Sequence, residues 1–220
     1  MNADHHKPVR AWQRMLSGRK LDLLDPDPAD IAIEDIAHGL ARVARWNGQT
    51  RGAHAFSVAQ HCLIVDEIAN DAPELWGEQW RLAALLHDGA EYVIGDLISP
   101  FKTAIGLDYK AFEIRLMRAI HTRFGLPDPL PDAVARAIKS ADRVAAYFEA
   151  TRLAGFSVAE AEQYFGSPPS LTPGLFAKLD ALTPVPAKIA QRSFLELTLQ
   201  LCLQPNTVCH NLALVEASKT

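Results

Sequence analysis

A chain of 220 residues, 49% of them hydrophobic, is long enough to bury a sizeable core as one large domain. Its 22 Lys and Arg against 26 Asp and Glu leave a net charge of −4, which argues against a basic duplex-binding surface and against an acidic tail. Cys62, Cys202 and Cys209 form no CxxC pair, the opening MNADHHKPVRAW lacks an apolar leader core, and no apolar run approaches the roughly 18–20 residues of a membrane span; a cytoplasmic protein is expected.

Residues 1–32 read as an irregular arm. Trp12, Met15 and Leu16 suit a short amphipathic turn that Ser17–Gly18 breaks, and LDLLDPDPADI reads as an extended segment and turn, with Leu21, Leu23 and Leu24 packing it onto the body. A helix is predicted from about Ile33 to Trp46 on the spacing of Ile33, Ile36, Ala37, Leu40, Val43 and Ala44, with Gly39 a weak point. Asn47–Gly48 would end it, because both residues tolerate a left-handed backbone. Arg42, Arg45 and Trp46 then fall in its last turn, where cations suit the helix dipole.

Ser57 and Gln60 have capping-box spacing and open a second helix, about Val58 to Ala69, with His61 beside its apolar stripe. A third runs from Glu78 to about Ala90 and delivers LLHDGAEYVIGD. Its run Leu82 to Leu86 is apolar, then His87 and Asp88 emerge side by side, followed by Glu91 and Asp96. If the helix continues through this stretch, His87, Asp88 and Glu91 share a face. Gly89 and Gly95 suggest tight backbone there, and Pro100 starts a new segment.

Further helices are predicted from Tyr109 to about Phe124, Asp132 to about Leu153, Val158 to Tyr164 and Pro186 to Leu203, leaving residues 204–220 peripheral. Strand patterns are few, and the whole reads as all-α: a compact helical bundle with an irregular N-terminal arm. Asp142 sits among Ala141, Val144, Ala145 and Ala146 on the inward side of its helix, out of place unless a cation or donor meets it. A local pair with Lys139, Arg143 or Arg152 is the plainer account of it, as a satisfied core histidine is of His61.

Taken together, His61, His87, Asp88 and Asp142 are four metal-type residues on three helices. Imidazole nitrogen with carboxylate oxygen suits a transition metal better than Ca²⁺. Two imidazoles and two carboxylates leave room for water and a substrate oxygen, as hydrolysis requires.

The order H…HD…D resembles the HD-domain metal-dependent phosphohydrolases, and more closely the branch with the bacterial 5'-deoxynucleotidases and their relatives of unassigned substrate. The residues that carry the resemblance are Arg45–Trp46, SVAQH at Ser57–His61, LLHDGAE at Leu85–Glu91, Gly95–Asp96, PFK at Pro100–Lys102 and KSADRVAAY at Lys139–Tyr147. It spans about Ile33 to Leu153, a metal-site core between the N-terminal arm and C-terminal helices from 154 to 220.

The resemblance implies one divalent ion (Mn, Co, Fe, Ni or Zn, with Mg fitting less well) on His61, His87, Asp88 and Asp142. It implies Glu91 as general acid/base toward a metal-activated water, Arg45 on the phosphate, Trp46 shaping the sugar pocket, Asp96 accepting from a sugar hydroxyl, and Lys102 as a weaker phosphate contact. A phosphomonoesterase acting on (deoxy)nucleoside 5'-monophosphates follows as the expected activity, with a small phosphate ester as partner, no nucleic acid or membrane, and a homodimer by analogy with relatives. The alternatives are a phosphodiesterase or pyrophosphohydrolase on a signalling nucleotide, and a nucleotide-binding sensor of low turnover. The arm to about Asp30 and the Gln49–Ala55 loop with His54 depart from the characterised nucleotidases and leave the nucleotide preference open. His38, His121 and His210 have no partner readable from the sequence.

Overall fold

Apolar residues at helical spacing become helices packed around one buried cluster in a computed structural model that describes residues 11–71, 77–97 and 107–203. Among the described residues the architecture is all-α apart from one small hairpin. The helices are α1 (Ile33–Leu40), α2 (Val58–Asn70), α3 (Glu78–Leu85), α4 (Glu91–Ile94), α5 (Leu107–Arg123), α6 (Asp132–Arg152), α7 (Val158–Phe165), α8 (Pro173–Asp180) and α9 (Ala187–Cys202). None is long and apolar enough to cross a membrane. Pro100, Lys102, Cys209, His210, the first ten residues and the segment from 204 onward lie outside the described residues.

α2 is the central element. It packs against α6 on one side and α3 on another, while α9 covers both α2 and α3. Val58, Cys62, Val65 and the fully buried His61 line its inward faces. The Ser57 hydroxyl accepts from the Gln60 N–H and caps its start. Buried Asp66 accepts from Arg81 Nε at 3.1 Å and Nη2 at 2.7 Å, a two-pronged pair that fixes α3 against α2.

The arm is more ordered than its composition suggests. Trp12–Arg14 pairs antiparallel with Lys20–Asp22 as strands β1 and β2, in place of the expected amphipathic turn. The Arg14 and Lys20 cations both lie over the Trp12 ring, which draws the two strands together. The Ser17 N–H and hydroxyl donate to the two Asp35 carboxylate oxygens, at 2.9 and 2.5 Å, and tie the hairpin tip to α1. Leu21 is fully buried and Leu23 partly so, but Leu24 is exposed and takes no part in the packing.

Two helix boundaries differ from expectation. α1 stops at Leu40 instead of running to Trp46. The Arg45 N–H donates to the Phe56 carbonyl and Ala44 bridges Ser57, so this stretch leaves the helix to pair with the chain entering α2. α3 likewise ends at Leu85, and residues 86–90 form tight turns before Glu91 opens α4. α8 was not expected at all; the proline at its first turn is a position where a missing N–H does no harm.

Gly39 explains its own presence in α1. A Cβ there would meet the Cβ and carbonyl oxygen of Tyr92 at 2.8 Å, so the glycine lets α4 lie directly on α1 and sets the position of neighbouring Glu91. Gly39→Ala is expected to destabilise the protein by about 1–3 kcal/mol in urea denaturation through overpacking. A gain of about 0.5–1 kcal/mol, the value helix propensity alone gives, would contradict this contact.

Candidate metal centre

Two helices, α2 and α6, and the turn after α3 meet at the His61 ring. Its Nε2 lies 3.4 Å from Asp142 Oδ1, on α6, and 3.5 Å from Asp88 Oδ2, in the turn after α3. His87 Nε2 lies 3.2 Å from the same Asp88 oxygen, and the two imidazole centroids are 5.2 Å apart. Donor atoms of His61, His87 and Asp88 all fall within 4.8 Å of one another, and Asp142 joins them through His61. The four residues expected to form one cluster therefore do stand together.

The proton positions follow from the partners. His87 Nδ1 is 2.8 Å from the Ala84 carbonyl, which can only accept, so Nδ1 carries a proton. This bond also caps the end of α3 and holds the ring over the turn. His61 Nδ1 is 2.6 Å from Glu149 Oε1 and donates to that carboxylate. Both rings thus turn Nε2 toward Asp88, and both Nε2 atoms are buried without a hydrogen-bond partner. Two orphaned imidazole nitrogens beside two carboxylates are the donor set that a borderline divalent ion takes, and oriented Nδ1–H groups are how proteins aim such ligands.

The imidazoles and carboxylates of the cluster also offset one another's charge. Burial disfavours charge on His61 and His87, yet the carboxylates around them raise both pKa values well above the ordinary histidine range. Burial works against ionised Asp88 and Asp142 too, and the two imidazoles hold both well below the usual carboxylate range. Asp142 also receives Lys139 Nζ at 2.6 Å, so the local pair and the inward role coexist.

Glu149 is the residue that sequence reading missed. It is fully buried at the far end of the same α6 face, two turns beyond Asp142. Besides His61 it accepts from Trp46 Nε1 at 2.9 Å and from Arg45 Nε and Nη2, both at 3.3 Å. The seven-residue step from Asp142 was the available signal.

Arg45 and Trp46 are consequently placed differently from the helical last turn expected of them. Arg45 is held between Glu149 and Asp96, whose Oδ2 is 3.4 Å from Nη1; the acids raise the guanidinium pKa further although its burial opposes this. Trp46 has φ +55°, a left-handed backbone that is costly for a bulky residue. Its indole bond to Glu149 and edge-on contacts with Phe156 and Phe165, at 5.6 and 5.9 Å, hold it there.

Glu91 is buried at the start of α4, and its charge is felt by the Cys62 thiol and the Tyr109 hydroxyl. Burial pushes both of those groups up, and Glu113, Glu91, Asp96 and Asp88 add to the effect at Tyr109. Of the two glycines expected to mark tight backbone, Gly89 does so, since a Cβ would meet the Leu86 carbonyl at 2.9 Å; Gly95 has open space and serves instead through its φ of +76°. His54 is exposed and lines a separate cavity of about 400 Å³ beyond the end of α1. A cavity of about 340 Å³ adjoins the cluster itself and reaches His87, Asp88 and Asp142 at one end.

In chelated protein, Glu149→Gln is expected to cost about 3 kcal/mol at neutral pH, because Arg45 and His61 lose a buried counter-charge. Burial raises the Glu149 pKa, but Arg45, His61 and Trp46 together draw it down to about 2 from 4.5. A depressed carboxyl contributes stability that is full above its unfolded value and vanishes as pH falls through the folded one. The difference between wild type and variant in urea denaturation should therefore close between about pH 4.5 and pH 2; a difference constant across that window would contradict the assignment.

No family model matches the sequence. The chain is 61% identical over 171 residues to an uncharacterized protein of Rhodobacter capsulatus, an alignment that covers 77% of this chain and 87% of that one. With that identity and coverage, the chain belongs to the same family as the R. capsulatus protein.

Proposed function

We propose that this protein is a metal-dependent phosphohydrolase of the HD-domain type, acting on a small phosphomonoester such as a (deoxy)nucleoside 5'-monophosphate. The observation that carries the reading is the pair of imidazoles, each with Nδ1 committed to an oxygen and Nε2 buried, unpartnered and turned to a shared carboxylate. His61, His87, Asp88 and Asp142 would hold one divalent ion of the Mn, Co, Fe, Ni or Zn kind. Such an ion supplies a lowered pKa to water and polarises a phosphoryl oxygen.

The chain's own groups supply the rest. Five carboxylates (Asp88, Glu91, Asp96, Asp142 and Glu149) lie in and around the centre, and Arg45, Lys139 and, when protonated, the two imidazoles are the cations paired with members of this set. That excess of negative charge favours a divalent cation and lets an anionic ester approach only once the cation has offset it. Glu91, buried beside the cluster, is the group to accept the proton of the attacking water. Arg45 offers Nη1, whose contact with Asp96 is long, to a phosphate oxygen, while Glu149 keeps the other side of the guanidinium fixed. Asp96 then becomes available to a hydroxyl of the substrate. The modest cavity favours a compact monoester over a dinucleotide.

The test is phosphate release from ribo- and deoxyribonucleoside 5'-monophosphates, with each divalent ion restored to chelated protein. Asp88→Ala is expected to abolish both metal retention and release. Glu91→Ala is expected to retain metal at wild-type stoichiometry but lose about 10²–10⁴ in kcat, the range general acid/base catalysis supplies. Glu91→Ala with unchanged kcat would remove Glu91 from the reaction; stoichiometric metal with no release from any ester would overturn the hydrolase reading.

A further inference from the structure

The cavity beside the cluster has walls that metal binding does not explain. Met117 and His121 stand one turn apart on α5, and Ile138 lies on α6 one turn before Asp142. With Leu130 they line the space of about 340 Å³ that ends at His87, Asp88 and Asp142. This volume is at the small end of the roughly 300–1,000 Å³ of small-molecule pockets. His121 is the anomaly in this apolar wall. It is 6% exposed, and the Pro127 backbone hydrogen-bonds its ring, yet Nδ1 is buried without a hydrogen-bond partner. Buried polar atoms are nearly always satisfied, and His121, whose ring helps line the cavity, carries one that is not.

We infer that this cavity seats the organic group of the ester, and that His121 is its specificity-determining contact. The ligand group it fits is flat, largely apolar and of nucleobase size, with one hydrogen-bonding edge turned to Nδ1. Apolar walls of Met117, Leu130, Ala135 and Ile138, with His121 and Lys139 as the polar groups beyond the cluster itself, fix the orientation of such a ring, and a buried hydrogen-bonding group selects against a ring that cannot pair with it. Met117 contributes a polarizable thioether that packs well against an aromatic face. Burial lowers the His121 pKa, and because the Pro127 backbone offers only a carbonyl, the neutral ring's one N–H is spent there and Nδ1 is left to accept from that edge. Placed here, the ring is clear of Arg45 and Trp46, neither of which lines the cavity, and the phosphate end of the ester is left at the cluster. The inference rests on the phosphoester reading for the identity of the ligand, but not for the existence of the site.

Binding of 2'-deoxyadenosine, which has no phosphate to hydrolyse, tests the site apart from the reaction. Calorimetry on metal-supplemented protein should show binding that His121→Phe weakens at least tenfold and Ile138→Trp abolishes, with unfolding midpoints confirming that both variants fold. In turnover, the ratio of kcat/KM for 2'-deoxyadenosine 5'-monophosphate over methyl phosphate should fall about tenfold in either variant. His121-dependent nucleoside binding without hydrolysis of any ester would uphold the cavity and overturn the reaction. Hydrolysis with the ratio unmoved in both variants would uphold the reaction and overturn the cavity; nucleoside binding that is absent, or indifferent to both variants, would overturn the cavity whatever the reaction.

Discussion

The structure depends on how a fully buried imidazole is paid for. His61 has no exposure, stands on the central helix, and has Glu149 on one nitrogen and Asp88 with Asp142 near the other. An ionisable group so placed is tolerated only with close and well-aimed partners. The three partners constrain two elements: Glu149 and Asp142 fix α6 against α2, and Asp88 fixes the turn that ends α3. Among the described residues α2 packs most extensively against α6 and α3, along the same lines. The geometry that satisfies His61 is the geometry that gathers the candidate metal ligands.

Glu149 extends that constraint outward. Because one carboxylate accepts from His61, Trp46 and Arg45, the orientation of a metal-type ligand and the shape of the 45–48 turn are not independent. The left-handed Trp46 is stable only while its indole N–H reaches Glu149 and its ring meets Phe156 and Phe165. Strain is thereby kept beside the site and offset by contacts from α6 and the segment around α7, which is where strained residues in functional centres are usually found.

Much of this was legible in the residues themselves. Asp142 among alanines and His61 on an apolar stripe announce inward polar groups, because helical spacing alone fixes which face they occupy. The His87–Asp88 pair was legible from where the apolar run Leu82 to Leu86 ends, although the pair stands in a turn and not on the helix expected to carry it. Glu149 was not, since a glutamate near a helix end is ordinarily solvated, and only the tertiary approach of Arg45 and Trp46 gives it work. The early stop of α1 is also tertiary: local spacing favours more helix, but pairing with the chain before α2 wins. The β1–β2 hairpin has strands of three residues, too short for an alternating pattern, and is held by the Trp12 stack and the Ser17–Asp35 tie instead.

The central claim is that His61, His87, Asp88 and Asp142 share one divalent ion. Anomalous diffraction from crystals grown with Mn²⁺, recorded on both sides of its absorption edge, tests this most directly. The account predicts one strong peak between His61 Nε2 and His87 Nε2, in contact with both aspartates. Stoichiometric manganese located elsewhere, or no peak at saturating metal, would contradict it.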